Sequence, residues 1–160
     1  DQYPLVLSTY KPILRSNYSG FFDHCNQVSP QNFIYMNKNT AQQFGLKDKE
    51  RVVLTSPDGV TAEGVLACDD GVAEMTGCVP HAYGHWAGGA EVREVDGKSL
   101  PVARRRGGGT AINRLIPVDP TRPGAVKALN DYYAGAFCRS GIPVKVEQYR
   151  EMKPIGCPVM

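Results

Sequence analysis

Cys78, His81 and His85 are spaced C-x2-H-x3-H, an interval at which thiolate and imidazole ligands can gather on zinc. A structural zinc needs a fourth ligand, and recruiting Cys68 or His24 is nowhere demanded by the spacing. Pro80 and Gly84 also break any helix that would bring His81 and His85 to one face. A zinc-dependent interaction module on these three residues is therefore kept only as an alternative. The preferred reading is a ligand-facing loop in which neutral imidazoles both donate and accept.

Near the amino end, Ser8, Thr9, Lys11, Arg15 and Ser16 place hydroxyls and positive charge just past an apolar run. Such groups suit phosphates, and a guanidinium holds an oxyanion through two parallel bonds. Composition alone favours the plainer alternative of a solvated polar loop. Asn37 offers an amide that can read a base edge or cap a helix. The block Arg104-Arg105-Arg106-Gly107-Gly108-Gly109 could grip a phosphate or an acidic neighbour, although a solvated loop is the commoner meaning of such a run. It lacks the closing Lys-Ser/Thr of a P-loop, so triphosphate hydrolysis is not supported. Arg139 and Lys145 are secondary candidates near the last apolar run, and Tyr132 and Tyr133 read as packing.

The elements that must position these residues are short. PLVLST and FIYMN read as strands, the second with Ile34 and Met36 on one face and Phe33 and Tyr35 on the other. A long polar loop is expected between them. Asn37 to Phe44 reads as a helix with an Asn cap and Gly45 as its stop. RVVLTS and VTAEGVLAC form a hairpin around Pro57-Asp58-Gly59. MTGCVPHAYGHW adds an apolar step and a Gly-rich loop. Residues 87–124 read as loop-rich, VKALNDYYAGAFC as helix or packed loop, GIPVKVEQ as a last strand, and the tail as peripheral. Many short strands with little helix point to a small β-barrel, whose long loops are where a ligand is expected.

Bulk properties exclude more than they identify. With 160 residues the chain is expected to be one domain with a real core. Its 42% hydrophobic and 21% charged residues are those of an ordinary globular chain. A net charge of +2 gives no ground for a nucleic-acid or membrane partner. No run approaches the roughly 20 apolar residues that cross a bilayer, and DQYPLVLSTYKP lacks the features of a signal peptide. The five cysteines are odd in number and contain no CxxC, so neither a disulfide scaffold nor a cluster motif is indicated.

The order of segments resembles the molybdopterin-dinucleotide-binding domain at the carboxy end of the dimethyl-sulfoxide-reductase superfamily. LVLSTYKPILRSNYSG matches its opening strand and polar loop. IYMNKNTAQQFGLKDKERVVLTSPDG matches its strand, Asn and N-x-x-x-A-x-x-x-G helix. GCVPHAYGHW answers its Gly-x-x-x-Pro-His-Gly turn, and NRLIPVDPTRPG followed by IPVKVEQ answers its Asn-x-Leu, Asp-Pro and final strand. Each element alone is weak; four in order over residues 3–148 are specific. The GHW step and the NRL…DPTRPG ending look most like the polysulfide, thiosulfate, tetrathionate and arsenate reductase branch.

The resemblance implies a mainly β fold with short helices, a six-stranded double-psi β-barrel in a single domain spanning 1–160, with 149–160 as a peripheral tail. It implies a molybdopterin guanine dinucleotide cofactor (bis-MGD) with Mo or W, contacted by Ser8, Thr9, Lys11, Arg15, Ser16, Asn37, His81, Gly84, His85, Asn113 and Arg139. Asn113 enters because it stands where the family's Asn-x-Leu begins. The catalytic metal ligand and any iron–sulfur cluster would lie elsewhere in a larger subunit, so no catalytic residue is assigned here. Implied partners are the remaining domains of that subunit, further ones being a membrane anchor and an iron–sulfur electron-transfer subunit. The alternative is a stand-alone small subunit of the same fold, like that of formylmethanofuran dehydrogenase. A self-cleaving decarboxylase on this barrel would need a Gly-Ser bond, and the chain has none.

Overall fold

The computed structural model describes residues 2–16, 19, 22–84, 92–101, 109–119, 121 and 138–150. Strand β1 (Leu5–Tyr10) is followed by a short helix α1 (Asp23–Val28), β2 (Ile34–Met36) and helix α2 (Lys38–Gln43). Then come β3 (Arg51–Thr55), β4 (Thr61–Cys68), β5 (Thr76–Pro80), β6 (Val92–Val95) and β7 (Lys98–Pro101). A 3-10 turn (Ile112–Leu115) and β8 (Ser140–Gln148) complete the order.

Six strands close into a barrel in the order β1-β5-β2-β4-β3-β8. The expected six-stranded barrel is therefore present. β1 and β5 run parallel, as do β2 and β4; the remaining neighbours are antiparallel. Exchanging β1 with β4, β2 with β5 and β3 with β8 returns the same order and directions, so the topology has an internal two-fold relation. The directions also sort the loops. The carboxy ends of β1, β3 and β5 meet the amino ends of β2, β4 and β8 at one end of the barrel.

Alternation at period two builds the core. Leu5 and Leu7, Ile34 and Met36, Val52 and Leu54, and Val144 and Val146 point inward, and all but Val146 are completely shielded from solvent. Each such side chain contributes about 1.5–3 kcal/mol by leaving water. Gly77 lies inward among them, and a Cβ there would come within 2.7 Å of Leu7 Cδ2.

The hairpin of β3 and β4 forms as its sequence demands, with Gly59 at φ +76 and its N–H donating to the Ser56 carbonyl at 2.9 Å. Helix α2 is capped by Asn37, whose side-chain oxygen accepts from the Asn39 N–H at 2.9 Å, and Gly45 ends it at φ +68.

Two elements differ from the sequence expectation. The polar loop after β1 contains α1, a six-residue helix without a side-chain cap; its DHCNQV sequence has no apolar period to announce it. The loop-rich stretch contains the β6–β7 hairpin, turned by Asp96 at φ +51 and Gly97 at φ +70. Two successive positive φ values are what an Asp-Gly two-residue turn provides. Residues 125–137, including Tyr132 and Tyr133, lie outside the described residues, as do the 104–106 arginines and His85.

Candidate functional site

At the barrel end defined above, a cleft of about 350 Å³ is lined by His81, Ala82, Tyr83, Gly84, Ala111, Ile112, Asn113 and Arg139. Its first wall is the segment leaving β5, and its second is the 3-10 turn before β8. Four residues nominated from sequence, His81, Gly84, Asn113 and Arg139, are thus brought together from three distant stretches.

Parallel pairing explains much of this. Because β1 and β5 run side by side, Tyr10 pairs with Pro80, and the His81 N–H donates to the Tyr10 carbonyl at 3.1 Å. Lys11 follows at once, so its cation reaches the field of His81. Burial first, then Arg139 and Lys11, lowers the His81 pKa below its ordinary 6.5, partly offset by the Tyr10 main chain. A neutral imidazole results near pH 7. Its Nδ1 is buried and, the nearby Tyr10 main chain apart, has no hydrogen-bond partner among the described residues. Such an atom is costly unless a ligand or water satisfies it.

Gly84 brings the walls into contact. It holds φ +76, and a Cβ on it would strike the Ala111 nitrogen and come within 2.6 Å of the Ala111 Cα. Asn113 and Arg139 are exposed at the cleft. Ser8 approaches from the neighbouring strand, its Oγ lying 3.2 Å from Ser140 Oγ. Thr9 is half-buried opposite Val79 on the same end of β1.

The remaining nominees are placed otherwise. Arg15 is buried, at 4% exposure. Its Nε donates to the Ser29 carbonyl at 3.0 Å, Nη2 donates to the same oxygen, and the guanidinium lies over the Tyr83 ring. Its charge fastens a loop behind the cleft wall. Ser16 closes a local turn with Ser19. Asn37 stands at the opposite end of the barrel, capping α2 and donating to the Val72 carbonyl at 3.1 Å. His85 lies outside the described residues.

Cys78 alternates with buried Gly77 and Val79 on β5, so it faces outward. Burial, then Asp69, raises its thiol pKa. Among the described residues no three His, Cys, Asp or Glu side chains gather as metal ligands, and Cys25, Cys68, Cys78 and Cys138 are free thiols.

Sequence reasoning missed Asn32, Tyr83 and Thr110. Asn32 is 3% exposed and bonds to Pro80 and Thr110, one on each wall. The Tyr83 hydroxyl lies 2.6 Å from Ser29 Oγ. A polar residue just before a strand and a Thr after a glycine run carry no signal of burial; only their tertiary partners reveal it.

The cleft presents the Arg139 cation, an amide, an imidazole nitrogen without a side-chain partner among the described residues and a close backbone approach. That donor set fits a polar heterocycle carrying phosphates. Comparisons with known proteins identify the family. Residues 6–128 match the family model described as Molydopterin dinucleotide binding domain. The chain is 30% identical over 148 residues to a tetrathionate reductase subunit of Salmonella typhimurium, covering 92% of this chain and 14% of that protein. A selenate reductase subunit of Mesobacillus selenatarsenatis is 25% identical over 121 residues, covering 68% and 11%. Acetylene hydratase from Pelobacter acetylenicus has the same fold, with TM-score 0.57 and 16% identity over 92% of this chain and 18% of that one. The chain spans less than a fifth of the length of each. It belongs to the molybdopterin dinucleotide-binding domain family, whose cofactor is the pterin dinucleotide of a molybdenum or tungsten centre.

Proposed function

We propose that the His81–Asn113–Arg139 cleft is where this domain holds the guanine dinucleotide cofactor within a larger oxidoreductase subunit. One observation carries the reading: residues 81, 84, 113 and 139, nominated from three separate stretches of sequence, line one cleft, where the buried His81 Nδ1 has no side-chain partner among the described residues. Arg139 and Lys11 would neutralise phosphate charge. His81 would satisfy its ring nitrogen on the ligand, and Asn113 would read a heterocycle edge. The Gly84–Ala111 contact would let backbone groups approach closely. When bound, the cofactor supplies two-electron redox chemistry at its metal; the chain's own residues orient it and adjust it through hydrogen bonds.

The likeness to tetrathionate and selenate reductase subunits supports a small oxyanion or sulfur compound as substrate. It also supports the other domains of the same polypeptide as immediate partners. Beyond them would stand a membrane anchor and an iron–sulfur electron-transfer subunit. The alternative of a stand-alone small subunit draws no support from these long relatives. A barrel whose strands run from Leu5 to Gln148 supports treating the chain as one domain.

The test is cofactor retention in the full-length protein. Asn113→Ala and Arg139→Ala should each weaken retention about 5- to 150-fold, the loss of one polar contact worth about 1–3 kcal/mol. Asn37→Ala, at the opposite barrel end, should cost about 1 kcal/mol of stability and leave retention unchanged. Equal retention in all three variants would remove the cleft from consideration.

A further inference from the structure

Beneath the cleft both walls are tied to a single side chain. Asn32 Nδ2 donates to the Pro80 carbonyl at 2.7 Å and to the Thr110 carbonyl at 3.2 Å, while Oδ1 accepts from the Thr110 N–H at 2.6 Å. Pro80 immediately precedes His81. Thr110 immediately precedes the segment that carries Ala111 and Asn113.

The carboxamide thus pairs with Thr110 as one peptide group pairs with another, and spends its second N–H on the opposite wall. No other side chain of this length offers two donors and an acceptor. Asp would turn an acceptor toward two carbonyls, and Leu would leave three main-chain groups unsatisfied. The neighbouring sequence makes room for it. Gly109 adopts φ +90, and a Cβ there would strike Asn32 Oδ1 and come within 2.8 Å of the Asn32 nitrogen.

The walls also touch through Gly84 and Ala111. With contact at Gly84 and a hydrogen-bonded spacer at Asn32, their separation is fixed at two points. We propose that Asn32 is a positioning residue for the cofactor: it sets the distance between His81 on one wall and Asn113 on the other without touching the ligand. This rests on the reading of the cleft as the cofactor site.

A purely architectural role would give the same bonds, so the test needs a matched control. Thr40 is completely buried at the other end of the barrel, where its Oγ1 accepts from the Met75 N–H at 2.9 Å. In the full-length protein, thermal midpoint and the rate of loss of bound guanine nucleotide (measured after acid release) are compared for wild type, Asn32→Asp, Asn32→Ala and Thr40→Val. Asn32→Asp keeps the shape and the Oδ1 acceptor, so it carries the test even if Asn32→Ala fails to fold.

The expected result, with each variant assayed equally far below its own midpoint, is nucleotide loss at least about tenfold faster in Asn32→Asp than in Thr40→Val, a modest share of the two buried hydrogen bonds that Asp forfeits. Nucleotide-bearing wild type with equal loss in Asn32→Asp and Thr40→Val would overturn this proposal alone. Nucleotide-free wild type would overturn the cofactor reading and this proposal with it.

Discussion

The Arg15 guanidinium carbon lies 4.8 Å from the centre of the Tyr83 ring, a cation held against the back of the cleft wall rather than offered to a ligand. Ser29 completes the arrangement by receiving Arg15 on its carbonyl and meeting the Tyr83 hydroxyl with its own. The loop between β1 and β2 is thereby fastened to the segment that follows β5.

Arg15→Ala should destabilise the protein by about 1–3 kcal/mol, because the part-buried Ser29 carbonyl loses its donors. Tyr83→Phe, which removes only the hydroxyl bond, should cost about 0.5–1.5 kcal/mol. The pair should couple by about 0.5–2 kcal/mol in a double-mutant cycle followed by denaturant unfolding. Strict additivity would show that the Arg15 and Tyr83 hydroxyl bonds to Ser29 form independently of each other.

Gly84→Ala and Gly45→Ala compare strain with and without a collision. Both residues have positive φ, +76 and +68, but a Cβ at Gly45 meets nothing within 4 Å, whereas one at Gly84 meets the main chain of Ala111. Gly45→Ala should cost about 1–2 kcal/mol from the left-handed backbone alone. Gly84→Ala should cost clearly more, since main chain cannot swing aside, and should distort the cleft. Unfolding midpoints for the two variants decide the ranking, and equal midpoints would contradict the packing described.

The lowered His81 pKa gives a signed prediction. Between the folded value and the ordinary 6.5, the unfolded chain binds more protons, so stability rises with pH in that window. The contribution is fully present above 6.5 and is lost as pH falls toward the folded pKa. Protonation would also add a third cation beside Arg139 and Lys11. Wild type should therefore lose more thermal stability than His81→Gln between about pH 7 and about pH 5. Superimposable pH profiles would show that His81 does not titrate as its surroundings require.

Much of the framework was legible because local chemistry agreed with the final fold. The Asp58-Gly59 turn, the Asn37 cap and the alternation through Ile34 and Met36 each state their structure within a few residues. Helix α1 was not legible, since a six-residue polar helix is sustained by its surroundings rather than by propensity. The Asp96-Gly97 turn was present in the sequence and outweighed by the glycines around it.

The site divides in the same way. His81, Gly84, Asn113 and Arg139 stood out by residue type and by resemblance, and the barrel assembled them. Arg15 stood out equally, yet the fold buried it against Tyr83. Residue type specifies which bonds a side chain can make, not which partner will be within reach.

By itself the sequence determined the family, the alternating strands and the turns that join them, because these depend on neighbours a few positions apart. The tertiary structure alone decided that Asn32 bridges Pro80 to Thr110, that Asn37 and His81 stand at opposite ends, and that Arg15 is buried against Tyr83 with its guanidinium on the Ser29 carbonyl. The reason is geometric. Closing six strands with two parallel pairs brings together residues separated by 48 and 78 positions, and no local pattern encodes those distances.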